Sequence, residues 1–155
     1  GKVGVVRRDP MAMQPFCGYH FGDYWAHWLA TGARLTKAPG IYQVNWFRRD
    51  EQRRFLWPGY GENLRVLKWI IERCQGQADA EQTPVGNLPL RGSIDLTGLD
   101  VSHEHMRELT TVNPQEWLTE MDEVGAFLNG FGPRVPQALH DERERATQGL
   151  RRLAG

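Results

Sequence analysis

Apolar side chains recur every three to four residues in several stretches of the chain, which is the spacing of an amphipathic helix. The first stretch predicts a helix with Asp23 near its amino-terminal end and Gly32 as its stop. We interpret its apolar face as core: Tyr24, Trp25, Trp28 and Leu29. The second stretch predicts a helix from Asn63, as its N-cap, to Gly76. Its apolar positions are Leu64, Leu67, Ile70, Ile71 and Cys74.

Three further helices are predicted in the carboxy-terminal third of the chain. Ser102, followed by Glu104, begins the first of them, and Pro114 opens the next. The last covers residues 138–153 and is highly charged. Its charges alternate in sign, as in a solvated helix stabilised by pairs three and four residues apart. We therefore interpret it as a surface helix rather than as a binding arm.

Two stretches have the composition of β-strands. Residues 2–6 form a short β-branched run typical of an interior strand. Because such a strand needs neighbours, we expect the chain to be the carboxy-terminal part of a longer protein. Residues 41–47 are also rich in strand formers, and the polar turn at 50–54 would make a hairpin that brings Phe47 near Phe55. From 75 to 98, Gly, Pro, Gln and Asp predict a long surface connection.

Composition limits the classes of partner. The 155 residues include 19 basic and 19 acidic side chains, so no net charge steers the chain toward nucleic acid or an anionic membrane. A nucleotide site must therefore be local. No apolar run approaches the roughly 20 residues of a membrane span, and the first residues lack the pattern of a secretion signal. We expect a cytoplasmic protein.

The metal-ligating residue types are scattered. Cys17 and Cys74 have no CxxC spacing, and buried thiols are favoured over a disulfide or a metal pair. His103 and His105 are two residues apart, which on a helix points them away from each other. A surface position is therefore favoured over metal binding for both histidines.

The densest candidate chemistry lies between Trp46 and Asn63, where the chain reads WFRRDEQRRFLWPGYGEN. Aromatic faces can hold a nucleobase, each stack being worth about 1–3 kcal/mol, and an amide can both donate to and accept from a base edge. The alternative is a hairpin whose aromatic side chains are core. For Asn63, the alternative is a plain helix cap, worth about 1 kcal/mol.

Three motifs in this order resemble the GTP-dependent phosphoenolpyruvate carboxykinases. They are DPMAMQPFCGYHFG at 9–22, VNWFRRD at 44–50 and FLWPGYGEN at 55–63. The resemblance is dense from residue 9 to 69 and continues more thinly through TPVGNLP at 83–89 and IDLTGLD at 94–100. It implies an α/β fold, with a mixed sheet and flanking helices, that forms the carboxy-terminal part of a nucleotide-binding domain. Within it, 1–76 would be the guanine-binding part, 77–100 a surface connection and 101–155 a helical part.

The resemblance also implies a nucleotide site. In the family, the aromatic residues matching Phe47, Phe55 and Tyr60 enclose the guanine ring, and the asparagine matching Asn63 hydrogen-bonds the base edge. The implied nucleotide-binding set is completed by Gly61 and Glu62. Many members carry phenylalanine where Tyr60 stands. In the first motif His20 replaces a common asparagine and Gln14 a common arginine, so we assign that loop no catalytic role.

Enzymes of this family convert oxaloacetate and GTP to phosphoenolpyruvate, GDP and carbon dioxide with a divalent metal, Mn or Mg. This chain has no GxxxxGK[ST] pattern and no ligand cluster at metal spacing. We therefore expect it to supply guanine recognition, with GTP or GDP as ligand, while catalytic residues and metal ligands lie in parts of the enzyme absent from this chain. The resemblance implies a monomer without nucleic-acid or membrane partners. A non-catalytic guanine-nucleotide-binding or regulatory module is the alternative, and a purely structural domain is a third possibility.

Overall fold

A computed structural model of the chain describes residues 13–155, which belong to two compact units. One unit is Pro39–Val112, and the other joins residues 13–38 to Asn113–Gly155. The strand predicted at 2–6 and the beginning of the first motif lie outside the described residues. These units are defined by contacts between residues, not by function. The predicted functional division at residues 76 and 100 therefore stays a prediction.

The described elements are helices and one small sheet. The helices are α1 Phe21–Arg34, α2 Asn63–Cys74, α3 His103–Thr110, α4 Pro114–Asn129 and α5 Gln137–Ala154. The antiparallel strands are β1 Ala80–Thr83 and β2 Gly86–Pro89. All five predicted helices are confirmed, although α1 continues two residues beyond Gly32. The arrangement is consistent with an α/β domain, and the larger mixed sheet stays a proposal.

The sequence pattern is wrong about two stretches outside the helices. Residues 41–47 form no strand, because in the described part of the chain their backbone finds no partner strand; the nearest pairing is a single bridge between Arg49 and Phe55. Conversely, the β1–β2 hairpin lies inside the predicted surface connection. Thr83 stabilises its turn by donating from Oγ1 to the carbonyl of Gly86 at 2.6 Å.

In the unit that includes Asn113–Gly155, α4 and α5 pack along each other. Leu150 of α5 is fully buried, and Arg143 of α5 donates from Nε to the carbonyl oxygen of Met121 on α4 at 2.6 Å. The guanidinium of Arg143 covers Gly125, where a side chain would collide with it. Helix α5 is therefore not a plain surface helix as predicted, because one of its faces is core.

Aromatic packing fixes the start of α1 in the same unit. Phe21 is buried, with ring centroids 4.7 Å from Trp25 and 5.7 Å from Phe131. His20 caps the helix: its Nδ1 accepts the backbone N–H of Gly22 at 3.1 Å, and its Nε2 lies 3.0 Å from the carbonyl oxygen of Phe131. One neutral tautomer, protonated at Nε2, makes both bonds. The histidine thus has a structural role that the sequence pattern does not reveal.

Two burial predictions are wrong. Trp28 and Leu29 of the predicted core face are 43% and 41% exposed, because the buried face of α1 is centred on Phe21, at its first turn. Cys17 is half-buried and Cys74 exposed rather than both buried, and both are free thiols.

Within residues 13–155, no helix has the length and apolar character needed to cross a membrane.

Two glycines of α1 provide a matched test of this packing. A Cβ at Gly22 would lie 2.5 Å from the carbonyl oxygen of Arg134, whereas Gly32 has open space around it. We expect Gly22→Ala to lower the free energy of unfolding by about 1–3 kcal/mol through overpacking. Gly32→Ala should raise it by about 0.5–1 kcal/mol, since alanine favours the helix. Urea denaturation followed by circular dichroism measures both, and equal effects would contradict the close approach.

Candidate functional site

The aromatic segment of the unit Pro39–Val112 is organised by a tight turn at Asp50. The backbone N–H of Asp50 donates to the carbonyl of Arg54, and the N–H of Arg53 donates to the carbonyl of Asp50, each at 2.9 Å. The Asp50 carboxylate accepts the backbone N–H and the guanidinium Nε of Arg54, both at 2.8 Å. Beyond this turn, the N–H of Leu56 donates to the carbonyl of Arg48 at 3.0 Å.

Electrostatics reinforce the turn. Desolvation of the Asp50 carboxyl opposes its ionisation, but the hydrogen bonds and the charge of Arg54 outweigh it and hold the pKa of Asp50 below its ordinary value. The carboxylate is therefore ionised at neutral pH and keeps its acceptor role. This local closure sets the spacing of the aromatic residues on either side.

The turn brings Phe47 and Phe55 together, as the predicted hairpin requires. Their ring centroids are 6.3 Å apart with an interplanar angle of 63°. The guanidinium carbon of Arg49 lies 4.3 Å from the centroid of the Phe55 ring, at cation–π distance. Phe47 is 74% exposed and Phe55 52% exposed. These two rings present apolar faces at the surface of the described chain.

Tyr60 stands on a second turn. It begins the short 3-10 helix Tyr60–Glu62, directly after Gly59, whose backbone has φ 125° and ψ −168°. This region is essentially restricted to glycine. Tyr60 is 93% exposed, and no ring contact joins it to Phe47 or Phe55 among residues 13–155. The structure therefore pairs two of the three predicted aromatic residues and leaves the third apart on its own turn.

Asn63 does not act as the predicted N-cap. It is the first residue of α2, Glu62 is the capping position, and no side chain caps this helix. Instead, Oδ1 of Asn63 accepts the indole Nε1–H of Trp57 at 2.9 Å. The Trp57 side chain is buried, and an indole N–H in such a position needs an acceptor. The amide therefore serves Trp57 rather than the helix start.

Glu62 is engaged by Arg65, one turn further along α2. The guanidinium donates from Nε to the Glu62 carboxylate at 2.6 Å, and from its terminal nitrogens to the carbonyls of Asp95 at 2.7 Å and Thr97 at 3.0 Å. The backbone N–H of Thr97 bonds to the Asp95 carboxylate and, with the nearby positive charge of Arg65, keeps the pKa of Asp95 below its ordinary value. Arg65 thus joins the Tyr60–Glu62 turn to the loop after β2.

Two residues that hold this arrangement together are missing from the predicted nucleotide-binding set. Trp57 and Arg65 hold Asn63 and Glu62, yet neither belongs to the predicted nucleotide-binding set. The three-residue spacing of Glu62 and Arg65 is a helical pairing that the sequence signals. Nothing in the periodicity signals that Trp57 bonds an amide six residues away. The roles of Phe47, Phe55, Tyr60, Gly61, Glu62 and Asn63 toward a nucleotide stay predictions.

Comparison with known proteins shows which protein family this chain resembles. The family model described as the phosphoenolpyruvate carboxykinase C-terminal P-loop domain matches residues 1–149. The chain is 47% identical over 144 residues to "Phosphoenolpyruvate carboxykinase [GTP]" of Arthrobacter sp. (strain FB24), covering 92% of this chain and 24% of that protein. The protein of the same name from Paenarthrobacter aurescens (strain TC1) is 49% identical over 144 residues, with the same coverage.

A third protein of the same name is also similar to this chain. "Phosphoenolpyruvate carboxykinase [GTP]" of Neocallimastix frontalis is 47% identical over 152 residues, which is 96% of this chain and 25% of that protein. The chain thus spans about a quarter of the length of the curated relatives it matches. Because the match extends over residues 1–149 and includes the aromatic segment described above, the chain belongs to the family of the phosphoenolpyruvate carboxykinase C-terminal P-loop domain.

Proposed function

We propose that this chain supplies guanine recognition in a GTP-dependent phosphoenolpyruvate carboxykinase, an enzyme that converts oxaloacetate and GTP to phosphoenolpyruvate, GDP and carbon dioxide. The exposed aromatic trio supports the proposal most directly. Phe47, Phe55 and Tyr60 are 74%, 52% and 93% exposed in the described chain, so the alternative that they form its core does not hold there. Exposed aromatic faces are what base stacking needs.

The state of Asn63 favours guanine among the bases. Its Oδ1 accepts the indole N–H of Trp57, which turns the oxygen toward Trp57 and the NH2 donor away from it, toward the side where a base would lie. Guanine carries an acceptor at O6, where adenine carries an amino donor. An NH2 group in this position would bond the guanine edge and oppose the adenine amino group.

The remaining chemistry of the reaction is not assigned to this chain. Phosphoryl transfer depends on groups that hold the phosphates and a metal. Within residues 13–155, no group of three or more His, Cys, Asp or Glu side chains is gathered as for a metal ion. These residues do not fit the Mn or Mg of the family, and we derive no metal-dependent step from them. Oxaloacetate and the metal would bind elsewhere in the complete enzyme.

Guanine recognition predicts a base preference that nucleotide titration can measure. The complete natural protein is expected to bind GDP at least about tenfold more tightly than ADP, because a site built to hydrogen-bond one group rejects an analogue that lacks it. Stacking alone would barely discriminate between the two. Titration followed by tryptophan fluorescence measures both affinities, with Trp46 and Trp57 as local reporters. Equal dissociation constants would contradict guanine recognition.

The second prediction separates stacking from hydrogen bonding at Tyr60. Tyr60→Ala should weaken GDP binding by about 1–3 kcal/mol, the value of one base stack. Tyr60→Phe is the matched control, which keeps the ring and should leave GDP affinity nearly unchanged. Since the side chain is 93% exposed, neither variant should alter the thermal midpoint appreciably. Loss of affinity in both variants would instead assign the contribution to the hydroxyl.

The third prediction separates the enzyme from a non-catalytic module. The 155-residue chain alone should show no carboxykinase turnover, because the groups that stabilise the reaction are expected elsewhere. The complete natural protein should form phosphoenolpyruvate from oxaloacetate and GTP in a coupled assay. A complete protein that binds GDP but shows no turnover would favour the regulatory module.

A further inference from the structure

We propose that Trp57 is a positioning residue that sets the base specificity of this site. Its indole N–H would hold the amide of Asn63 in the one orientation that presents the NH2 group to the base. The inference rests on the proposed guanine recognition and deepens it. It assigns discrimination between guanine and adenine to a residue that does not itself have to touch the nucleotide.

The hydrogen bond determines which way the amide is oriented. An asparagine side chain presents an acceptor on one side and two donors on the other. Trp57 offers a donor only, 2.9 Å from Oδ1 of Asn63. A flipped amide would point its own NH2 group at the indole N–H and leave two donors facing each other. Trp57 is 5% exposed, so water has little access to rescue the flipped state.

The core fixes Trp57 itself. Its ring centroid is 6.3 Å from that of Trp46, and the preceding residue, Leu56, is 2% exposed. The indole therefore has little freedom to follow the amide, and the amide has to adapt to the indole. No hydrogen bond within residues 13–155 engages Nδ2 of Asn63, and this side chain makes no cap contact with α2.

This arrangement would fix which end of the Asn63 amide, donor or acceptor, faces a base. Without Trp57, either end of the amide could face the ligand, and the NH2 and the oxygen would serve guanine O6 and the adenine amino group about equally well. With Trp57, the oxygen is turned toward the indole, and the NH2 group is the end of the amide that points away from it. A carboxylate at position 63 would keep the bond to Trp57 but turn an acceptor toward the base.

The test compares GDP and ADP dissociation constants for the complete natural protein and three variants. Trp57→Phe removes the indole donor while keeping an aromatic ring, and it should lower the GDP:ADP affinity ratio at least about tenfold, with a smaller loss of GDP affinity. Asn63→Asp should shift the ratio toward ADP by a similar factor. Trp46→Phe, the matched control at the neighbouring indole, should keep the wild-type ratio. Using the ratio cancels any effect of the new charge on the diphosphate.

The outcomes separate this inference from the proposed function. A wild-type ratio retained in a folded Trp57→Phe protein would overturn the positioning role, and guanine recognition would still stand if the unmodified protein prefers GDP. Equal binding of GDP and ADP by the unmodified protein would overturn the proposed function itself. If the thermal midpoint shows that Trp57→Phe does not fold, Trp57→Leu, which also lacks the indole donor, takes its place: an unchanged ratio overturns the inference, and a lowered ratio supports it.

Discussion

A buried indole N–H is costly to leave without an acceptor, and in the unit Pro39–Val112 the acceptor that Asn63 provides for Trp57 connects the core to the candidate site. Trp57 and Asn63 are joined side chain to side chain, so the residues between them form a closed loop. Gly59 lets this loop turn through a backbone region that other residues avoid. Tyr60, the next residue, is 93% exposed.

Besides the Trp57–Asn63 hydrogen bond, an ion pair holds the loop that contains Tyr60 in place. Arg65 uses one guanidinium to bond Glu62 and two carbonyls of the loop after β2, so the Tyr60–Glu62 turn is tied to a distant part of the same unit. The ion pair also offsets the negative charge of the Glu62 carboxylate. Glu62 therefore has a structural role in this unit.

The sequence predicts what depends on local spacing. The helices, the cap at Ser102 and the start at Pro114 follow from periodicity and from residues that suit helix termini. The strand at 41–47 fails because a strand needs a partner that spacing cannot specify. The cap at Asn63 fails for a related reason: the pattern identifies a residue that can cap a helix, but not the competing donor on Trp57. The bonds of His20 to Gly22 and Phe131 are likewise invisible, since one spans 111 positions.

Affinity and specificity therefore have different physical bases in the proposed site. Stacking depends on exposed aromatic faces, and one aromatic residue can replace another at small cost, so tyrosine at position 60 suits it. Discrimination depends on one amide whose orientation is set from the buried side, by a residue with a single donor. Replacing that donor with another aromatic ring would preserve the apolar packing and lose the direction of the amide. In the proposed site, the buried side of the loop would thus constrain which base binds, and the exposed side would govern how tightly.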